Sequence, residues 1–140
     1  MSQLRPSKDK YYLNIAAAVS ERSTCIRRNY GAVIVSPDDI ILGTGYNGSP
    51  AGEINCCDIG ECIRNKLKIE HNTHCEVCEA VHAEQNAILR SLDISKLKGA
   101  TLYLFGRDAE TGEIIDAIPC PVCEKLIRAV GIKTLICSEK

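Results

Sequence analysis

Two short motifs constrain this chain more than anything else in it: His82-Ala83-Glu84, and further on Pro119-Cys120-Pro121-Val122-Cys123. One imidazole and two thiols make three ligands for a zinc ion. Three protein ligands leave a fourth position open for water, the mark of a catalytic rather than a closed structural site. A fold that uses them must bring two separated segments to one point. Taken singly, each motif is ordinary. An HxE pair is commonly a helix surface pair, and a CxxC is a redox pair or half of a structural zinc site. The proline directly before the first cysteine, and a helical pattern after each half, make the conjunction specific.

Local geometry supports the combination. Cys120 and Cys123 are three apart, which places them on one face of a helical turn. They also fall at an expected helix start, where the positive end of the helix dipole favours thiolate. His82 and Glu84, two apart, would lie on different faces of a regular helix, so they converge only if His82 sits at an irregular helix entry. The order H-x-E followed by P-C-x-x-C is the signature of zinc deaminases. Zinc so held lowers the pKa of its water to about 7. Glu84 is then the expected proton carrier, taking the water's proton, passing it to a pyrimidine N3 and helping the exocyclic nitrogen leave as ammonia. The bland reading of Glu84 is an acid in a first helical turn, favoured there by the dipole alone.

The rest of the composition narrows the field. A chain of 140 residues predicts one domain, residues 1–140, with a single core. The formal net charge of −1 supplies no broad basic field, which disfavours a long nucleic-acid polymer as substrate. A single nucleotide needs only one or two cations. The N-terminus leads into a polar stretch rather than an apolar one, and no apolar run approaches spanning length, so neither a signal peptide nor a membrane partner is expected. Nine cysteines in such a chain are read as thiols of a reducing cytoplasm, better suited to metal than to a disulfide framework.

Tyr12, Ile15, Ala16 and Val19 recur at helical spacing, predicting a helix over about residues 8–21. Gly31–Val35 and Ile40–Tyr46 are short, β-branched and apolar, and the Pro37-Asp38-Asp39 turn between them makes an antiparallel hairpin. Residues 47–80 show little periodicity. A loop of that length is usually functional or clamped by metal. Val81, Ile88 and Leu92 begin a second helical pattern, Thr101–Phe105 reads as a strand, and residues 106–118 read as an excursion with Thr111-Gly112 at its tip. Val122, Leu126, Ile127 and Val130 give a third helix ended by Gly131, and Lys133–Cys137 a last strand. The order α-β-β-α-β-α-β predicts an α/β fold, a mixed β-sheet flanked by helices.

Two further candidates border this frame. Asn47 follows the second strand pattern; between glycines it is most often a turn residue, but at a strand end facing a pocket it suits a base or sugar. Arg27 and Arg28 precede the first strand, and are either solvated charges or a phosphate clamp.

The segments Arg22–Arg28, Gly31–Val35, Gly45–Pro50, His82–Ile88 and Pro119–Cys123 together resemble the deoxycytidylate (dCMP) deaminase family, over about Tyr11 to Cys137. The resemblance implies the cytidine deaminase-like fold, hydrolysis of dCMP to dUMP, and a homo-oligomer, often a hexamer. It implies catalytic zinc on His82, Cys120 and Cys123, with Glu84 as proton shuttle and Asn47 as a substrate contact. It also implies regulation by a nucleoside triphosphate through a segment that includes Gly45, Tyr46 and Gly48. A second, structural zinc is implied on Cys25, Cys56, Cys75 and Cys78, with Cys57, Cys62, His71 and His74 as rival ligands. Such a site would pin the long loop, which is weakly hydrophobic. The chain departs from the family pattern in the intervening residues 106–118, which put Ile118 where a polar residue usually precedes the proline. That departure leaves other cytosine nucleosides or nucleotides as alternative substrates. A non-catalytic zinc or nucleotide-binding module would gain nothing from Glu84.

Overall fold

The strand from Arg28 to Val35 (β1) sets the architecture, because both of its faces are apolar. Side chains alternate across a strand. Ala32 and Ile34 therefore join one buried cluster, with Leu102, Leu104, Ala83, Ala87 and Ile127. Val33 and Val35 join another, with Tyr12, Ala16, Tyr103 and Phe105. A strand buried on both faces must lie inside a sheet with helices on either side.

The computed structural model describes residues 4–71, 73–74 and 77–140. It runs α1 (Lys8–Ser20), β1, β2 (Ile41–Tyr46), α2 (Cys56–Ile59), α3 (Ile63–Lys66), α4 (Ala83–Leu89), β3 (Thr101–Asp108), α5 (Pro121–Ala129) and β4 (Thr134–Cys137). A 3₁₀ turn, Ile94–Leu97, precedes β3. The strand order is β2-β1-β3-β4. β1 pairs antiparallel with β2 and β3, and β4 pairs parallel with β3. The mixed sheet flanked by helices is the architecture expected. Among the described residues no helix is long and apolar enough to cross a membrane.

Glycine lets the helices sit directly on the strands. At Gly31 a Cβ would collide with the carbonyl of Ala16 in α1. At Gly45, on β2, it would collide with the backbone of Ala83 and Ala87 in α4. These close approaches bring the start of α4 against the sheet. Tyr12 fixes the other end of α1, its hydroxyl donating to Asp39 Oδ1 at 2.6 Å in the hairpin turn.

Several elements differ from the sequence expectation. β1 starts at Arg28 and β3 runs on to Asp108, because the two pair along their whole length, Arg28 opposite Asp108. The second helical pattern is shorter than predicted: α4 ends at Leu89, and Leu92 is fully exposed. Val81 lies outside the helix, paired with Gly48 through Gly48 N to Val81 O at 3.1 Å and Val81 N to Gly48 O at 2.7 Å. The inward face of α4 is Ala83, Glu84, Ala87 and Ile88. The long loop contains the two one-turn helices α2 and α3, too short for periodicity to reveal.

The excursion after β3 is a tight return, as expected. Asp108 Oδ1 accepts from the amides of Glu110 and Thr111, and Gly112 takes a positive φ of 77°. Ser138 then fastens it, accepting from Gly106 N and donating to Ile115 O.

Candidate metal and nucleotide site

The pocket opens where the β1 and β2 ends meet the starts of α4 and α5. His82 caps α4 with an extended backbone, φ −72° and ψ 155°, so the irregular helix entry that the HxE spacing requires is present. Gln85 Oε1 accepts from His82 N at 2.9 Å, fixing that entry. Cys120 caps α5 in the same manner, with Pro121 as the first helical residue and Cys123 N donating to Cys120 Sγ at 3.5 Å. Proline suits that position because its missing N–H would be unpaired there anyway. The two motifs are thus two helix N-termini aimed at one point.

His82 Nδ1 lies 3.1 Å from Cys123 Sγ and 3.4 Å from Cys120 Sγ. Zinc bonds of about 2.3 Å to sulfur and 2.0 Å to nitrogen put tetrahedral ligand atoms roughly 3.5 Å apart, so the trio fits the ion. Among the described residues it is the only group of three or more metal-binding side chains whose ligand atoms all lie within 4.8 Å of one another. Burial, and then the Arg64 guanidinium, hold the His82 pKa down, which keeps a lone pair available for metal at neutral pH. Burial, the Glu84 carboxylate and Cys120 push the Cys123 thiol up. A divalent cation reverses that balance and favours thiolate.

Glu84 is 4% exposed. Burial raises its pKa, against the opposing influence of its own backbone and of a hydrogen bond with Cys123. A carboxyl raised toward the working pH is suited to take and return protons. Zinc in this site would supply acidified water, of pKa about 7.

Asn47 is 8% exposed and well used. Its Oδ1 accepts from Ser23 Oγ at 2.5 Å and from Tyr30 N at 2.9 Å, and its Nδ2 donates to Arg28 O at 2.9 Å. One amide hydrogen is left over. Arg27, Arg28 and Asn47 all line the pocket, as do His82, Glu84 and Cys120. Of residues 106–118, only Ile118 does so, and it remains 63% exposed. Gly45, Tyr46 and Gly48 are outside the pocket lining, and Gly45 is accounted for by the seating of α4.

Cys25, Cys56 and Cys78 line the same pocket, joined by Cys62. Burial and then the neighbouring Cys25, Cys78, Cys62 and Cys57 raise the Cys56 thiol. Cys75 lies outside the described residues. Sequence reasoning passed over Tyr30 and Arg64, which both line the pocket. Strand parity with Ala32 and Ile34 pointed to Tyr30. Nothing in the aperiodic loop singled out Arg64.

Residues 6–139 match the family described as the cytidine and deoxycytidylate deaminase zinc-binding region. The chain is 40% identical, over 94% of each chain, to the deoxycytidylate deaminase of Mycobacterium phage D29. It is 33% identical to that of Schizosaccharomyces pombe, of whose length it spans 38%. The crystal structure of the cyanophage S-TIM5 dCMP deaminase in complex with dCMP and dUMP superposes with a TM-score of 0.67 at 29% identity, covering 96% of this chain and 83% of that one. Cytidine deaminase of Mycobacterium tuberculosis shares the fold, with a TM-score of 0.52 at 14% identity over 96% and 86% of the two chains. With its fold, its ligand trio and its matched length agreeing, the chain belongs to the cytidine and deoxycytidylate deaminase family.

Proposed function

We propose that this chain is a zinc-dependent hydrolase, a single deaminase domain over residues 1–140, converting dCMP and water to dUMP and ammonia. The observation that carries the reading is Glu84: a buried carboxylate against Cys123, beside His82, in a pocket lined by arginines. Glu84 accepts a proton from the attacking water, delivers it to N3 of the pyrimidine, and assists the exocyclic amine as it departs. Asn47 offers its remaining amide hydrogen to the sugar or base. Arg27 and Arg28 face the 5′ phosphate. The likeness to the phage D29 and S-TIM5 enzymes supports the choice of nucleotide. An ammonia-release screen over dCMP, CMP, dCTP, cytidine and cytosine tests it. Preference for another member would transfer the assignment to a different cytosine compound, a reading that the apolar Ile118 at the pocket favours.

Further parts of the proposal concern assembly and control. A second zinc would close on thiolates of the long loop. Cys25, Cys56 and Cys78 are supported by their shared wall, and Cys62 joins them there, in place of Cys75 or beside it. A homo-oligomer, with a hexamer as the expected size, is supported by Leu89, the last residue of α4, and by Leu92 and Ile94 beyond it, all three exposed. A nucleoside triphosphate effector near Gly45, Tyr46 and Gly48 rests on Tyr46 and Gly48, because packing already accounts for Gly45. The thiol content and the nucleotide substrate agree with a cytoplasmic setting.

A further inference from the structure

Tyr30 lines the pocket, yet none of the chemistry above uses it. On the pocket face of β1 it stands between Arg28, at the strand's start, and Ala32, which is buried with Ala83 and Ala87 of α4. Its backbone is fixed, since Asn47 Oδ1 accepts from its amide at 2.9 Å. Its ring is fixed as well. Gly106 is its register partner on β3, and a Cβ there would lie 2.7 Å from Tyr30 Cε1 and 2.9 Å from Cδ1. The ring therefore lies down over the bare glycine. Ile115 Cγ1 borders the same space, 3.1 Å from that Cβ position, so the return after β3 props the ring from the side. Ile115 N, donating to Gly106 O at 3.1 Å, and Ser138 fasten the return there. A side chain at 106 would lift the ring into the cavity.

The cavity around the ring has two characters. Thr24, Asn47 and Ser49 make the side near the end of β2 polar, and Thr24 N donates to Asn47 O at 3.2 Å. The floor, from β1 and β3, is apolar, made by Tyr30 and Leu104. The loop after α3 supplies a further side. The Arg64 guanidinium shapes it, donating to Glu70 O at 2.7 Å and to His74 O at 3.0 Å. Arg28 donates to the Tyr30 hydroxyl, so the polar tip of the side chain is engaged and the ring presents carbon.

The ligand trio and Glu84 fix where C4 of a pyrimidine must sit. N1, which carries the sugar, is directly across the ring from C4. The sugar therefore falls on the side of the base away from the trio. Tyr30 takes that place on β1, one step toward the strand's start from the residue that meets α4. We infer that the Tyr30 ring is the wall against which C2′ of the sugar rests, and that it selects deoxyribose over ribose. A 2′ hydrogen meets ring carbon without loss. A 2′-hydroxyl pressed there gives up its water to ring carbon, and a polar group so buried is costly. The inference rests on the proposed deamination of a cytosine nucleotide and extends it to the residue that chooses the sugar.

The test is the ratio of kcat/KM for dCMP over CMP, and for deoxycytidine over cytidine, in wild type and two variants. Tyr30→Leu keeps apolar cover over the core and removes the flat wall. Its dCMP-over-CMP ratio should fall about ten- to a hundredfold, the range for an apolar pocket that refuses one hydroxyl. The nucleoside ratio should fall with it, because the phosphate plays no part in that pair. Tyr30→Phe keeps the ring and should keep both ratios near those of wild type. Calorimetric binding of dUMP and UMP gives a readout without turnover, and Tyr30→Leu should lose the preference for dUMP there too. An unchanged ratio in Tyr30→Leu, or an equal loss in Tyr30→Phe, would overturn the wall. So would wild-type protein that uses CMP as readily as dCMP. Wild-type protein that releases ammonia from none of the four compounds would instead overturn the deaminase reading beneath it.

Discussion

Asn47 holds the backbone of Arg28: its Nδ2 donates to the Arg28 carbonyl at 2.9 Å, while its Oδ1 takes the Tyr30 amide at the same distance. One side chain at the end of β2 therefore fixes the entry of β1, from which Arg28 reaches the pocket. Asn47→Ala would strand the Tyr30 amide and the Arg28 carbonyl, while the Ser23 hydroxyl keeps its bond to the carbonyl of residue 47. Leaving a buried polar group unpaired costs about 1–3 kcal/mol. The variant should be destabilised on that order in urea melts and should also show a raised KM for dCMP. Unchanged stability would mean that solvent replaces both bonds.

Glu84→Gln should retain its metal and its fold, because the carboxylate is not a ligand of the trio. It should lose proton transfer, worth on the order of 10²–10⁴ in rate. Turnover and zinc content measured on one preparation check this. A variant with near-normal activity would reject the proton-carrier role.

Purified, never-chelated protein should contain about two zinc ions per chain. Cys62→Ser and Cys78→Ser should each lose one zinc and melt at a lower temperature, while Cys123→Ser should lose the other zinc and all activity. A metal assay giving one zinc in the unmutated protein would remove the structural site. Retention of both ions in Cys62→Ser would return the fourth ligand to Cys75 or another residue of the loop.

The Tyr12–Asp39 bond should give stability a recognisable pH dependence. The hydrogen bond to Asp39, then burial, push the Tyr12 phenol up to about 12, and the same bond holds Asp39 below its usual value. For the raised phenol, the stabilisation is complete below its ordinary pKa of about 10 and fades as pH rises through 12. For the lowered carboxyl, it is complete above the ordinary value and is lost as pH falls through the folded one. Tyr12→Phe should therefore be less stable than wild type at neutral pH, and the gap should narrow toward both extremes. A gap that stays constant from acid to alkali would show that the hydroxyl contributes nothing through Asp39.

The catalytic trio was legible because zinc chemistry dictates both residue type and spacing, and each half began an amphipathic pattern. The requirement for an irregular entry at His82 could be deduced from the two-residue step to Glu84, and the extended cap meets it. The hairpin, α1 and α5 were legible by periodicity. Leu92 misled because an apolar residue at helical spacing cannot show that the helix has already ended; Ser91 Oγ bonds Ile88 O just beyond the last turn. Arg28 stood out in the sequence by its charge, whereas Tyr30 joined the pocket only once β1 was extended to Arg28, a boundary set by pairing with β3 rather than by local preference. Arg64 was beyond reach, since its role depends on two carbonyls presented by a segment without any repeating pattern.

The double-sided burial of β1 limits how such a site can change. A slip of one residue would send Ala32 and Ile34 to α1 and Val33 and Val35 to α4, disrupting both cores at once. The sheet and the two capped helices therefore act as a rigid jaw that no gradual adjustment can reshape. Tyr30 apart, adaptation to a new nucleotide is left to the other jaw, the loop bearing Arg64 and His71 and the return that ends at Ile118. Variation among relatives with altered substrate choice should concentrate there, in lengths and side chains that the strands do not constrain.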